Sequence, residues 1–441
     1  MKSLVRLATR AVIVASTVLV PTAVSAQAAV GQRSYQGIFG GSGHDPAIRH
    51  HLEFQFGATE AYDSDDAPSE FVGSPSELVT TGYSTVLQAS SDYRWKGSRM
   101  EVGASTNSVL RYFNIDDSFR SSDHTAAVGF NARLTGASSV FVNQTAVYTP
   151  SYLYRLFPLD PNIDPGDAPP SGADYQVVDI PSYSYNTDVA FTQALSSRNA
   201  LVASANYSQT QSDSLLFDLT SYTLRGDFKR TFSRRFSMQA GYYYRTGVYR
   251  AGPDASEHGV EGGFEYTKPL SRTRAASIGL RIGGGTLRGG QVETPTGFTT
   301  EDYDVVSAGV HGSYQFGRSW LASVTYDRGI EYVPGFPDPV AASGLTVGLQ
   351  GALTRRLDMS TSFGYSYGDS GLFEQRFPFH TYTAQATLRV GLTRTIACRI
   401  EYLYYHYTFA DTTTLTLGVP ASLERNGIRA GLAVWVPAFR R

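Results

Sequence analysis

Charged residues of both signs interrupt otherwise small-and-apolar segments at Glu53, Glu101, Arg133, Asp188, Arg225, Asp227, Lys229, Arg245, Glu261, Glu265, Arg281, Asp327, Glu331, Arg389, Arg399, Glu401 and Arg429. Arg225, Asp227 and Lys229 fall at every second position and alternate in sign. That is chemistry for holding water and polar solutes, since an ion-selective filter favours rings of one sign. In mid-strand and facing lipid, each charge would cost several kcal/mol. The series therefore marks a wet surface and supplies the candidate pore lining. The rival outcome is that the same charges pair with one another and fill the interior.

Other chemistries find little footing. The eight histidines, His44, His50, His51, His124, His258, His311, His380 and His406, carry no HExxH or comparable ligand spacing. His50 and His51 are adjacent, and neighbours on a strand point to opposite faces, so a metal shared by that pair is not expected. There is one cysteine, Cys398, which excludes an internal disulfide framework and CxxC metal sites. No GxSxG occurs, and no serine and histidine stand at a recognisable catalytic spacing. Gly283-Gly284-Gly285 lacks the Gly-Lys-Ser/Thr that would make it a phosphate loop. No enzyme activity, cofactor or metal is expected.

The elements that must position the charges have a period of two. Leu357, Met359, Thr361, Phe363, Tyr365 and Tyr367 share one face, and Asp358, Ser360, Ser362, Gly364, Ser366 and Gly368 the other. The same alternation runs through Phe236 to Arg245, Ala276 to Gly283 and Tyr382 to Leu392. Period two over such lengths is the signature of strands with one apolar and one polar face.

Short turns separate these strands at Ser233-Arg234-Arg235, Ser271 to Arg274, Gly317-Arg318, Thr354-Arg355-Arg356 and Thr393-Arg394. Fainter equivalents stand at Lys96 to Ser98, Thr135 to Ala137 and Ser196 to Arg198. The clear turns recur about every 37 to 46 residues, the length of two membrane-crossing strands and an outer loop. Counting pairs predicts an all-β, antiparallel transmembrane barrel of about 18 strands, with 16 as the neighbouring count, having short periplasmic turns and longer extracellular loops. The outer loops are expected at 63–78, 114–123, 151–181, 211–218, 251–257, 288–300, 334–341, 369–377 and 411–423. The longest, Ser151 to Pro181, is rich in proline and aspartate. It is expected to be a solvated outer loop, with folding into the lumen as a constriction the alternative.

Residues 1–26 read as a secretory signal peptide: Lys2, Arg6 and Arg10 precede an apolar core and Val24-Ser25-Ala26. Residues 27–49 read as a periplasmic lead-in and 50–441 as the barrel. Removing the signal takes the formal charge from −2 to −5, with no basic stripe for nucleic acid. Aromatic residues make up 13% of the chain while hydrophobic residues are only 41%. A barrel reconciles the two, because only alternate residues meet lipid and aromatics gather in interfacial girdles. Tyr242 to Tyr244 and Tyr402, Tyr404, Tyr405 and Tyr407 are expected in those girdles.

The hairpin style of the last 220 or so residues, with the terminal stretch Arg425 to Pro437, resembles the outer-membrane β-barrel porins of Gram-negative bacteria, some of which accompany exopolysaccharide systems. Such barrels usually end on an aromatic residue; here Phe439 is followed by Arg440 and Arg441. The resemblance implies a cell outer-membrane channel. Its expected partners are outer-membrane lipids and lipopolysaccharide, the barrel-assembly machinery, and polar solutes or a polysaccharide. Its expected work is passive passage of polar solutes or polysaccharide export. The alternative of another class is a non-conducting barrel that binds surfaces through its outer loops. A soluble β-propeller fits the repeat length but not the long strands.

Overall fold

A computed structural model of the chain describes residues 49–66, 82–113, 120–149, 181–212, 218–250, 252–271, 273–294, 297–317, 319–336, 338–370, 372, 377–409 and 422–440. The expected signal peptide, the lead-in before residue 49 and the 151–181 loop lie outside the described residues apart from Pro181. All the regular structure described is β.

The strands, in chain order, are β1 (His50–Asp66), β2 (Gly82–Lys96), β3 (Met100–Phe113), β4 (Arg120–Arg133), β5 (Ser138–Thr149) and β6 (Ser182–Ala194). They continue with β7 (Asn199–Ser212), β8 (Leu219–Ser233), β9 (Phe236–Tyr249), β10 (Ala255–Ser271), β11 (Arg274–Thr294) and β12 (Gly297–Phe316). The last six are β13 (Trp320–Glu331), β14 (Val340–Ala352), β15 (Leu357–Ser370), β16 (Phe377–Gly391), β17 (Ile396–Phe409) and β18 (Ser422–Arg440). Each pairs antiparallel with its sequence neighbour, and β1 pairs with β18, as in Phe54↔Val436 and Tyr62↔Ile428. The 18-stranded sheet is closed, and closure removes the unpaired edges that lipid could not solvate.

Most of the short turns share one chemistry. A Ser or Thr at the first turn position accepts backbone N–H groups two and three residues on: Ser233 from Arg235 and Phe236, Ser196 from Arg198 and Asn199, Thr393 from Thr395 and Ile396. The side chain thereby closes the turn without a long loop. These turns lie at one end of the barrel, together with the start of β1 and the end of β18.

The register carries the period-two pattern around the ring. Val128, Val260, Ile282 and Ile428, each more than half exposed, point outward. So do aromatic pairs near the long-connection end, Tyr62–Tyr83, Tyr148–Tyr183, Tyr207–Tyr222 and Tyr365–Tyr382, with ring centroids 4.9–5.2 Å apart. Phe232, Phe236, Phe264, Phe316 and Trp320 form a corresponding belt by the short turns. An apolar band this exposed, edged by aromatics, is the surface of a membrane-spanning barrel.

Two expected loops differ. The segment 288–300 is largely strand, because the β11–β12 ladder runs on to Thr294↔Gly297. The segment 334–341 does not project outward; it turns into the lumen.

Candidate functional site: the barrel interior

The inner face is set by the same register. The sixteen candidate lining residues Glu53, Glu101, Arg133, Arg225, Asp227, Lys229, Arg245, Glu261, Glu265, Arg281, Asp327, Glu331, Arg389, Arg399, Glu401 and Arg429 fall on it, as does Asp188. Side chains two apart on one strand, or opposite on the next, stand close enough to pair.

On β8 to β13 they do, and the longer side chains also reach across two strands. Arg225 lies 2.6 Å from both Asp227 and Glu261. Arg281 continues the chain, 3.7 Å from Glu261 and 3.2 Å from Asp327. Ser307 Oγ donates to Glu261 at 3.0 Å, so this carboxylate is held from three sides. Lys229 meets Glu265 at 3.2 Å, and Arg245 meets Glu257 at 3.6 Å. Gly283 makes room for the centre of the network, because a Cβ there would overlap the side chain of Glu261. Glycine on this face relieves crowding.

Across the barrel, Arg389 binds Asp358 through two nitrogens at 2.9 Å, and Arg399 lies 2.6 Å from Glu401, to which Gln385 also donates. Asp63 stands between Arg111 at 3.7 Å and Arg429 at 3.5 Å. Glu101 and Arg133 lie by the short turns, with no ion-pair partner among the described residues. Buried charges absent from the sequence-derived set include Asp63, Arg111, Glu257 and Asp358. Their positions by the two-residue count were readable; their partners on other strands were not.

Burial sorts these charges. Glu53, Glu257, Asp358, Glu401 and Arg429 are buried. The side chains of Arg281, Asp327, Glu265, Arg389 and Arg399 keep about a third or more of their surface open. The accessible charge is thus of both signs, and bidentate or doubly contacted pairs hold it in fixed geometry.

The lumen is narrowed by the tip of the β13–β14 hairpin. Pairing between β12 and β13 stops at Ala308↔Arg328, whereas β13 stays with β14 to Glu331↔Val340. Freed from β12, the tip leans inward. Ile330, 1% exposed, packs with the inner-face residues Ala255, Leu287 and Val305. Arg245 Nη1 donates to the Ile330 carbonyl at 2.8 Å, and its guanidinium lies 5.8 Å from the centre of the Tyr332 ring. Tyr332 fills the space beside Gly247, where a Cβ would overlap it. On the far side Phe336 lies 5.9 Å from Phe409, which lies 5.7 Å from Phe379. Gly335 has φ of 88°, a left-handed turn that suits glycine. Val333, Phe336, Asp338 and Val340 are all buried. The tip therefore runs from β9 on one wall to β17 on the other.

Two aromatic expectations are corrected here. Tyr243, Tyr405 and Tyr407 point inward and are buried, while Tyr242, Tyr244 and Tyr402 face outward. Tyr405, Tyr407 and Phe409 share the parity of Glu401 and so belong to the inner wall. One Ser–His contact does form: Ser108 Oγ and His124 Nδ1 are 3.0 Å apart on the outer face. The ring stacks on Tyr148, and among the described residues no carboxylate or amide side chain hydrogen-bonds it. Without such an orienting group the pair lacks the third member of a hydrolytic triad.

No family model matches the chain, and no curated protein matches it. Among solved structures, Pseudomonas aeruginosa OccK11 (OpdR) matches 88% of this chain and 96% of its own at 12% identity and a TM-score of 0.42. Acinetobacter baumannii OccAB3 matches at 10% identity, covering 88% of this chain and 99% of its own, with a TM-score of 0.43. Pseudomonas aeruginosa OccK2 (OpdF), solved in complex with glucuronate, gives 10% identity, 88% and 98% coverage and a TM-score of 0.43. At these values no residue correspondence follows. The chain is an eighteen-stranded antiparallel transmembrane β-barrel on the strength of its own closed sheet, apolar outside and charged inside.

Proposed function

We propose that this barrel is a porin-like channel of the Gram-negative outer membrane through which small polar solutes pass down their gradients. The observation that carries the reading is the inner wall: accessible carboxylates and guanidiniums of both signs beside a hairpin tip that narrows the lumen. Charges fixed in pairs offer hydrogen bonds to a passing solute while trapping neither cation nor anion strongly, which suits weak charge selectivity. The sixteen inner-face charges are the lining in this account. Among those that keep open surface, Glu265, Arg281, Asp327, Glu331, Arg389 and Arg399 meet the solute.

The tip weighs against export of a bulky polysaccharide, for which the β9-to-β17 crossing is an obstacle. Outer-membrane lipid and lipopolysaccharide would surround the apolar band, and the assembly machinery would deliver the chain. The rival is a non-conducting barrel with surface-binding loops, favoured by the buried inner charges. Liposome swelling with neutral sugars and amino acids of increasing size separates the two. The channel reading expects uptake that falls with solute size; liposomes that contain folded protein and never swell would leave the closed scaffold.

A further inference from the structure

At the short-turn end, where the ring closes, the inner face brings together His51, Glu53 and Asp92, with one ligand atom from each lying within 4.8 Å of the others. His51 and Glu53 are two apart on β1, and Asp92 stands opposite Glu53 on β2. His51 Nε2 is 3.1 Å from Glu53 Oε2. An ion with bonds of about 2.1 Å in tetrahedral geometry sets its ligand atoms about 3.4 Å apart, near the spacing of the His51–Glu53 pair.

His51 is 2% exposed, and neither of its ring nitrogens makes a hydrogen bond. A buried imidazole whose polar contact is the 3.1 Å approach to Glu53, with no hydrogen bond formed at Nδ1, is costly unless something else engages it. Trp435 Nε1 donates to Glu53 Oε2 at 2.7 Å, the kind of outer contact that orients a ligating carboxylate. The β1–β18 register shifts between Leu52 and Glu53, a local irregularity of the sort that re-aims side chains. Arg94 Nε lies 3.9 Å from Asp92 Oδ1 at the edge of the cluster.

We infer that His51, Glu53 and Asp92 form a binding site for one divalent transition-metal ion, of which Zn2+ fits an imidazole-and-carboxylate set well. The bound ion ties β1 to β2 beside the seam with β18 and so acts as a staple on ring closure.

The test uses the untagged full-length protein, folded in detergent, stripped with chelator and titrated with ZnCl2. Calorimetry and elemental analysis after desalting read affinity and stoichiometry, and heat-modifiable gel migration reads folding. The proposal expects about one Zn2+ per chain and a raised unfolding temperature with Zn2+, with at least a tenfold weaker affinity in His51→Ala and Asp92→Asn. His50→Ala is the control, since His50 lies on the opposite face with its ring 6.3 Å from that of Trp95. If His51→Ala fails to fold, Asp92→Asn reads the site, because it leaves the His51–Glu53–Trp435 contacts in place. No retained Zn2+, or equal binding by wild type and Asp92→Asn, overturns the proposal, as does a loss on His50→Ala equal to that on His51→Ala.

Discussion

Truncating Phe336 to alanine tests the narrowing of the lumen where it is most sharply anchored. The side chain is 1% exposed and is seated against Phe409, itself packed on Phe379. Removing a buried phenyl group costs about 3–5 kcal/mol. The β13–β14 ladder does not depend on this contact, so the cost falls on the seated position of the tip and the barrel remains closed. The ratio of released to seated tip then rises by roughly 10² to 4 × 10³. That is an upper figure, since a released Phe336 would not return fully to water. Single-channel recording in planar bilayers reads the effect directly. Wild type should show one dominant conductance, and Phe336→Ala should add a larger, frequently visited level. Deleting residues 333–338 should make that larger level permanent. An unchanged current histogram in a folded Phe336→Ala variant refutes the reasoning that this tip sets the narrow point.

Glu261→Gln leaves Arg225 with Asp227 alone and Arg281 with Asp327 alone; the reversal potential in a KCl gradient should move toward anion selectivity, and stability should fall by about 1.5–3 kcal/mol in urea titration into vesicles. Ile282→Arg, which places a charge on the lipid face, should cost about 2–4 kcal/mol in the same titration. Ser360→Arg, one strand face away from lipid, should change stability by no more than about 0.5 kcal/mol; equal costs would break the assignment of faces. Gly283→Val forces a side chain into Glu261 and should lose about 1–3 kcal/mol, measured by the same unfolding midpoint.

Much of the architecture was legible because a strand's geometry admits only one period. Leu357 to Gly368 could be sorted into two faces by counting, and the Ser and Thr that open the tight turns carry their own hydrogen-bond chemistry. Counting also placed the charged series on one face. It could not reveal that Arg225 reaches Glu261 two strands away, or that Asp92 joins His51, since both depend on register between strands.

The segment 334–341 was expected to project outward because long connections alternate with the short turns, and length alone does not tell a loop that projects from one that folds back into the lumen. The tip's composition held a clue: Tyr332, Val333, Phe336 and Val340 are too apolar for a solvated loop. Tyr405 and Tyr407 were assigned by residue type to the girdle, although their parity with Glu401 already put them inside.

Cysteine scanning along β15 tests the division of the barrel wall most directly. In a Cys398→Ser background, single cysteines at Met359, Ser360, Thr361, Ser362 and Phe363 are exposed to a membrane-impermeant thiol reagent with the protein in lipid vesicles. Positions 360 and 362 should label from the lumen, and positions 359, 361 and 363 should stay protected by lipid. Labelling without alternation, or silence at both 360 and 362 in folded protein, would contradict a lipid-coated barrel around a water-filled interior.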